Sequence, residues 1–187
     1  MHPYVFLDRD GTLVEDPNGY IHRVEDYVLR PRTADGLARL QRAGFGLVIL
    51  TNQSGIGRGY YTRDDFDRFQ AHLTQDLARF GVRIDATFLC PHRPDAGCNC
   101  RKPRTGLLEQ ARSSLAVDFE RSWMIGDSSA DVGLARSAGL RCIRIQAPHE
   151  PADPDATHRA SDLHECADLI LLGTKSLGDT ERDTRSR

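Results

Sequence analysis

Short apolar runs alternate with amphipathic stretches along most of this chain. Residues 4–7 (YVFL) are apolar throughout and stop at Asp8-Arg9-Asp10-Gly11, the pattern of a central strand buried on both faces. Residues 33–44 carry Leu37 and Leu40 with Ala34, Ala38 and Ala43, and predict a helix with Thr33 as N-cap and Gly44 as its stop. FGLVILTN (45–52) predicts a second strand. TRDDFDRFQAHLTQDLARFG (62–81) then predicts a long amphipathic helix, with Thr62 and Asp65 spaced as a capping pair. DATFLC, TGLLEQARSSLA, RSWMIGD, SADVGLARSAG and LRCIRI continue as strand, helix, strand, helix, strand. Five strands alternating with helices predict an α/β fold, an open, doubly wound parallel sheet covered on both faces.

From residue 147 the proline and polar content rises, and SDLHECADLILL adds one last helix. Residues 1–172 then form a single domain, and residues 173–187 have the composition of a disordered tail. Charged residues are 28% of the chain, the net charge is -2, and no basic stripe occurs. Nothing in that balance draws the chain to nucleic acid or an anionic membrane. No apolar run reaches the roughly 18 residues of a membrane span, and MHPYVFLDRDG lacks the parts of a signal peptide. A cytoplasmic monomer is expected.

In an open parallel sheet, ligands sit beyond the carboxyl ends of the strands. The predicted strands deliver Asp8 and Asp10, then Thr51 and Asn52, then Gly126 and Asp127 with Asp131 a turn later, and a loop adds Arg101 and Lys102. Hard oxygen ligands with a lysine suit phosphoryl transfer: Asp8 and Asp127 would hold Mg2+, and Lys102 would offset phosphoryl charge. A carboxylate can also attack phosphorus covalently, and Asp10 is the natural acid and base beside it. Asp131 fits either a partner behind the site or an ordinary first-turn helix acid.

DRDGT, LTN, the lysine of RKP and GDSSAD resemble, in order, the four motifs of the haloacid dehalogenase-like (HAD) phosphatases. The resemblance covers residues 4–146 and implies a Rossmann-like HAD core. By it, Asp8 is the nucleophile and Asp10 the acid/base with its backbone carbonyl on the metal. Thr51 and Lys102 bind the transferred phosphoryl group, and Asp127 completes the Mg2+ site. About forty residues separate Asp8 from Thr51, which leaves no room for a cap domain. The flap VEDPNGYIHRVEDY, with Tyr20 and His22, must supply a wall instead.

Of the five cysteines, Cys142 and Cys166 stand alone and read as small buried hydrophobes. CPHRPDAGCNC gathers Cys90, His92, Cys98 and Cys100, a closed tetrahedral set for structural Zn2+. An uncapped HAD core with TNQSGIGRG, this loop and CRKP resembles the heptose 1,7-bisphosphate phosphatases and the related histidinol-phosphate phosphatases. That likeness implies a small phosphorylated sugar as substrate, recognised by Asn52, Gln53, Ser54, Arg58, Arg101 and Lys102. The leading reading is a Mg2+-dependent hydrolase of the 7-phosphate of heptose 1,7-bisphosphate. Histidinol phosphate and a 3'-phosphorylated polynucleotide are the alternatives within the same chemistry. Ser128 replaces a basic residue common among relatives and bears on that choice. From another class comes a zinc-stapled module that binds a phosphorylated ligand without turnover, which intact Asp8, Asp10, Lys102 and Asp127 argue against.

Overall fold

The computed structural model describes the backbone of residues 1–147 and 150–182, and their side chains as far as residue 173. In chain order its elements are β1 (Tyr4–Leu7), α1 (Thr33–Arg42), β2 (Gly46–Asn52), α2 (Ser54–Arg58), α3 (Arg63–Arg79) and β3 (Ala86–Cys90). There follow α4 (Gly106–Ser114), β4 (Trp123–Gly126), α5 (Ser129–Ala138), β5 (Arg141–Ile145), β6 (His158–Ala160) and α6 (Leu163–Arg182). The strands form one sheet in the order β3-β2-β1-β4-β5-β6, with every pair parallel.

Successive side chains leave a strand on opposite faces, so a fully apolar strand feeds two cores. In β1, Val5 and Leu7 pack with Leu37 of α1, Phe69 of α3 and Ile170 of α6. Tyr4 and Phe6 pack on the other side with Leu107 of α4 and Leu134 of α5. The doubly wound sheet expected from the apolar runs is therefore the one observed. Strand β1 pairs with both β2 and β4 through Leu7, which sets Asp8 one step beyond the sheet at the point where strand order reverses. Between β1 and α1 the chain builds no cap. It forms a flap over residues 15–28, closed at its base by the Val14–Leu29 bridge and containing one short 3-10 turn, Val24–Asp26.

The cap of α3 is as the spacing predicts: the Asp65 amide donates to Thr62 Oγ1 at 3.1 Å, and the Thr62 amide donates to Asp65 Oδ2 at 2.8 Å. Three boundaries differ. Thr33 is a buried first residue of α1 rather than its N-cap, because Arg32 before it turns into the left-handed region at φ 61°. A sixth strand, β6, joins the open edge of β5, with Ile143 opposite His158 and Ile145 opposite Ala160. Three residues with two exposed polar side chains carry no strand pattern, and the edge backbone of β5 supplies the pairing instead. Helix α6 runs on to Arg182, into the segment read as tail, and residues 183–187 lie outside the described residues. Among the described residues no helix is long and apolar enough to cross a membrane.

Candidate active site

Asp8 follows β1 directly, and its amide extends the ladder by donating to Ile125 O at 2.9 Å. Its Oδ1 accepts from the Arg9 amide at 2.7 Å and lies 2.9 Å from Lys102 Nζ. Lys102 arrives from the loop before α4 and is buried to its tip. Asn52 holds its backbone from both sides: the Lys102 amide donates to Asn52 Oδ1 at 3.0 Å, and Asn52 Nδ2 donates to Lys102 O at 3.2 Å. The ammonium also donates to Leu50 O at 2.7 Å and sits 2.6 Å from Asp131 Oδ1. Asp131 serves both alternatives open from the sequence, since its Oδ2 caps α5 by accepting from the Ser128 amide at 3.1 Å.

Asp127 completes the cluster. Gly11, at φ 78°, lets it approach: a Cβ there would stand 2.2 Å from Asp127 Oδ2. Oxygens of Asp8, Asp127 and Asp131 all lie within 4.8 Å of one another. Three carboxylates around one ammonium leave negative charge uncompensated, which fits a divalent cation held by oxygen. Burial, then the charge of Asp131, pushes Asp8 up to about 8 against the opposing pull of Lys102. Burial and Asp131 also raise Asp127. Burial disfavours the Lys102 ammonium, but Asp131 and Asp8 outweigh it and hold Lys102 above the ordinary lysine range. A bound cation would reverse the shift at Asp8.

The remaining predicted residues divide by what they touch. Gln53 is buried, and its Nε2 donates to Asp10 Oδ2 at 2.7 Å and to Thr51 Oγ1 at 2.8 Å, while its Oε1 accepts from Tyr61 Oη at 2.6 Å. Asn52 and Gln53 are thus engaged with the site's own groups. Ser54 is buried at the start of α2, and Arg58 is exposed at its end. Arg101 has a buried Nη1 with no acceptor among the described residues. Sequence reasoning missed Arg9, which forks Asp10 with Nε to Oδ1 at 2.6 Å and Nη2 to Oδ2 at 3.1 Å. It also missed Tyr61, whose ring stacks on His22 of the flap with centroids 4.6 Å apart. Tyr20 meets Tyr60 edge to face at 5.0 Å.

Cys90 ends β3, and the loop after it folds back on that sulfur. Cys90 Sγ lies 3.6 Å from His92 Nδ1 and 3.6 Å from Cys98 Sγ, and Cys100 Sγ lies 3.2 Å from His92 Nδ1 and 3.7 Å from Cys98 Sγ. An ion about 2.3 Å from sulfur and 2.0 Å from imidazole nitrogen would set tetrahedral edges of roughly 3.5 to 3.8 Å. Three of the four measured edges lie in that range, and His92 Nδ1 is the nitrogen that faces the sulfurs. Burial drives the Cys90 thiol up to about 12. Cys142 and Cys166 are buried apart from this group, as small hydrophobes.

Residues 99–165 match the HAD-hydrolase-like family model. A Thermoplasma acidophilum protein named a probable D-glycero-D-manno-heptose-1,7-bisphosphate 7-phosphatase is 45% identical, over 73% of this chain and 85% of its own length. The Escherichia coli K12 D-glycero-beta-D-manno-heptose-1,7-bisphosphate 7-phosphatase is 35% identical, over 89% of this chain and 91% of its own. The crystal structure of D,D-heptose 1,7-bisphosphate phosphatase from B. bronchiseptica, complexed with magnesium and phosphate, superposes with a TM-score of 0.84 at 30% identity. That match covers 91% of this chain and 99% of the other. With the motif residues gathered at one edge of the sheet and relatives of this similarity matched over most of their length, the chain belongs to the HAD-like phosphatases, phosphomonoester hydrolases, in the branch of the heptose-1,7-bisphosphate 7-phosphatases.

Proposed function

We propose that this protein removes the 7-phosphate of D-glycero-D-manno-heptose 1,7-bisphosphate through an aspartyl-phosphate on Asp8, on the route to nucleotide-activated heptose. The observation that carries the reading is the buried Lys102 ammonium 2.9 Å from Asp8 Oδ1, a fixed cation that draws a phosphoryl group onto the nucleophile. Asp8 attacks phosphorus, the bond to the sugar oxygen breaks, and Asp10 gives that oxygen its proton. Asp10 then takes a proton from the water that attacks the aspartyl-phosphate, which releases phosphate and restores Asp8. Thr51 Oγ1 accepts from Gln53 and keeps its own proton to donate to the phosphoryl group beside Lys102. Asp8, Asp127 and the backbone carbonyl of Asp10 would hold Mg2+, which when bound offsets phosphoryl charge.

Asn52 and Gln53 work in this reading through Lys102 and Asp10 rather than on the sugar. Ser54, at the buried start of α2, is assigned with Arg58 and Arg101 to the substrate, the two arginines to the sugar and its 1-phosphate. The unpaired N–H of Arg101 suits a second phosphate, which arginine grips bidentately. Cys90, His92, Cys98 and Cys100 hold structural Zn2+ and fix the loop that leads into Arg101. The protein acts in the cytoplasm as a monomer on a small phosphorylated sugar, without a nucleic-acid or membrane partner.

Phosphate release with Mg2+ on heptose 1,7-bisphosphate, histidinol phosphate and a 3'-phosphorylated oligonucleotide tests the reading. The bisphosphate is expected to turn over fastest, and Asp8→Asn to lower its rate on the order of 10⁴- to 10⁶-fold. A preference for either other substrate would keep the chemistry and discard the sugar. No turnover of any of them would leave a phospho-ligand binding module.

A further inference from the structure

Arg9 stands between the two aspartates of the first motif, yet phosphoryl transfer as set out above gives its charge nothing to do. It is fully buried, with its guanidinium carbon 4.9 Å from the ring centre of Phe66 and 4.7 Å from that of Phe69. Besides the fork on Asp10, Nη2 faces Ile21 O of the flap at 3.0 Å and Gln53 Oε1 at 3.1 Å, so its two N–H are shared among three acceptors. Nη1 has no acceptor among the described residues. A buried ion pair contributes little net stability over apolar packing of equal volume, and an unpaired buried N–H subtracts from it. Stability alone is a poor reason for arginine here.

The donors around Asp10 supply a better one. A carboxylate has about two acceptor sites on each oxygen. Oδ2 takes Arg9 Nη2 and Gln53 Nε2 and is full, whereas Oδ1 takes only Arg9 Nε and keeps one site open. The flap reaches this carboxylate by two routes: Ile21 O holds Arg9, and His22 stacks on Tyr61, whose hydroxyl donates to Gln53.

We propose that Arg9 is a positioning residue that turns Asp10 so that Oδ1 exchanges the proton with the leaving oxygen and later with water, and that makes this orientation depend on the flap. The inference rests on the phosphatase reading. The proton passes from Oδ1 to the sugar oxygen as its bond to phosphorus breaks. It returns to Oδ1 from water as the new bond to phosphorus forms.

Leaving-group dependence separates this role from a structural one. The sugar 7-phosphate is an alkyl ester that needs a proton to depart, whereas p-nitrophenolate departs without one. The value of kcat/KM reports events up to that departure and is blind to the later hydrolysis of the intermediate. Arg9→Lys keeps the buried charge but cannot span both oxygens, and Arg9→Met removes the charge. Both are expected to lower kcat/KM for heptose 1,7-bisphosphate about 10²-fold or more, the low end of general acid catalysis. For p-nitrophenyl phosphate the loss is expected to be only a few-fold, and Tyr61→Phe should give the same bias on a smaller scale. Equal losses on the two esters, or no loss in Arg9→Lys, would overturn the proposal, and Arg9→Lys decides alone if Arg9→Met does not fold. Failure of the wild type on both esters would instead sink the phosphatase reading, and this inference with it.

Discussion

Among the described residues the protein has two clusters of metal-ligating side chains, and they are built in opposite ways. Asp8 comes from one strand end, and Asp127 and Asp131 from another strand end and the helix start after it, more than a hundred residues further along the chain; the three are largely buried and enclose an ammonium of the protein's own. Cys90, His92, Cys98 and Cys100 fall within eleven residues, with Cys90 buried, His92 exposed and the other two half-buried. The first group is assembled by the fold and the second assembles a loop. Lys102 partly offsets the carboxylate charge in the first, so that cluster is expected to survive without a metal, whereas the thiols and imidazole of the second meet one another with only backbone amides and Arg104 beside them.

Three experiments strain that contrast. The largest effect is expected from Lys102→Met, which leaves Asp8 and Asp131 facing each other in the interior. Breaking a buried pair from one side costs about 3–5 kcal/mol, and urea unfolding in chelator would read it. A much smaller loss would mean that water already reaches these carboxylates. Next comes loss of the zinc proposed for the cysteine loop, by Cys98→Ser or a strong chelator. Freeing a cross-linked loop of about 11 residues costs roughly 3 kcal/mol by chain entropy, a fall in Tm of about 6–12 °C. Metal analysis should show one zinc lost per chain, and an unchanged Tm would mean that the loop holds itself.

The effect that is smallest at any single step is one of pH. In the metal-free protein Asp8 is raised from 3.8 to about 8, so the folded state keeps a proton that the unfolded chain has released. Stability is then fullest below about pH 4 for this group and falls as pH rises toward 8, by at most about 1.4 kcal/mol per unit. Unfolding at several pH values should show that slope without Mg2+ and lose it with Mg2+ bound. A slope present in both conditions would assign it to another group.

Apolar runs made the sheet legible, because a strand buried on both faces has to be apolar along its whole length. The ends of those runs made Asp8, Thr51 and Asp127 legible as well. Strand β6 was hidden because an edge strand of three residues has too few positions to show a pattern and leaves His158 and Arg159 in solvent. Arg9 was hidden for another reason, since arginine is almost never fully buried and nothing local marks Phe66 and Phe69 as its bed. Asn52 and Gln53 were found as polar groups at a strand end, but an amide reads the same whether it faces a ligand or the backbone of residue 102. The two uses of Asp131 could not be chosen between, because both oxygens are used, one on each.

The grip of Asn52 on Lys102 also governs how this chain can change by descent. Residue 102 takes its place from Asn52 and Leu50, fifty residues upstream, and not from the length of chain that delivers it. Insertions and deletions between His92 and Cys98 can therefore accumulate across lineages, reshaping the rim of the site while the ammonium stays beside Asp8.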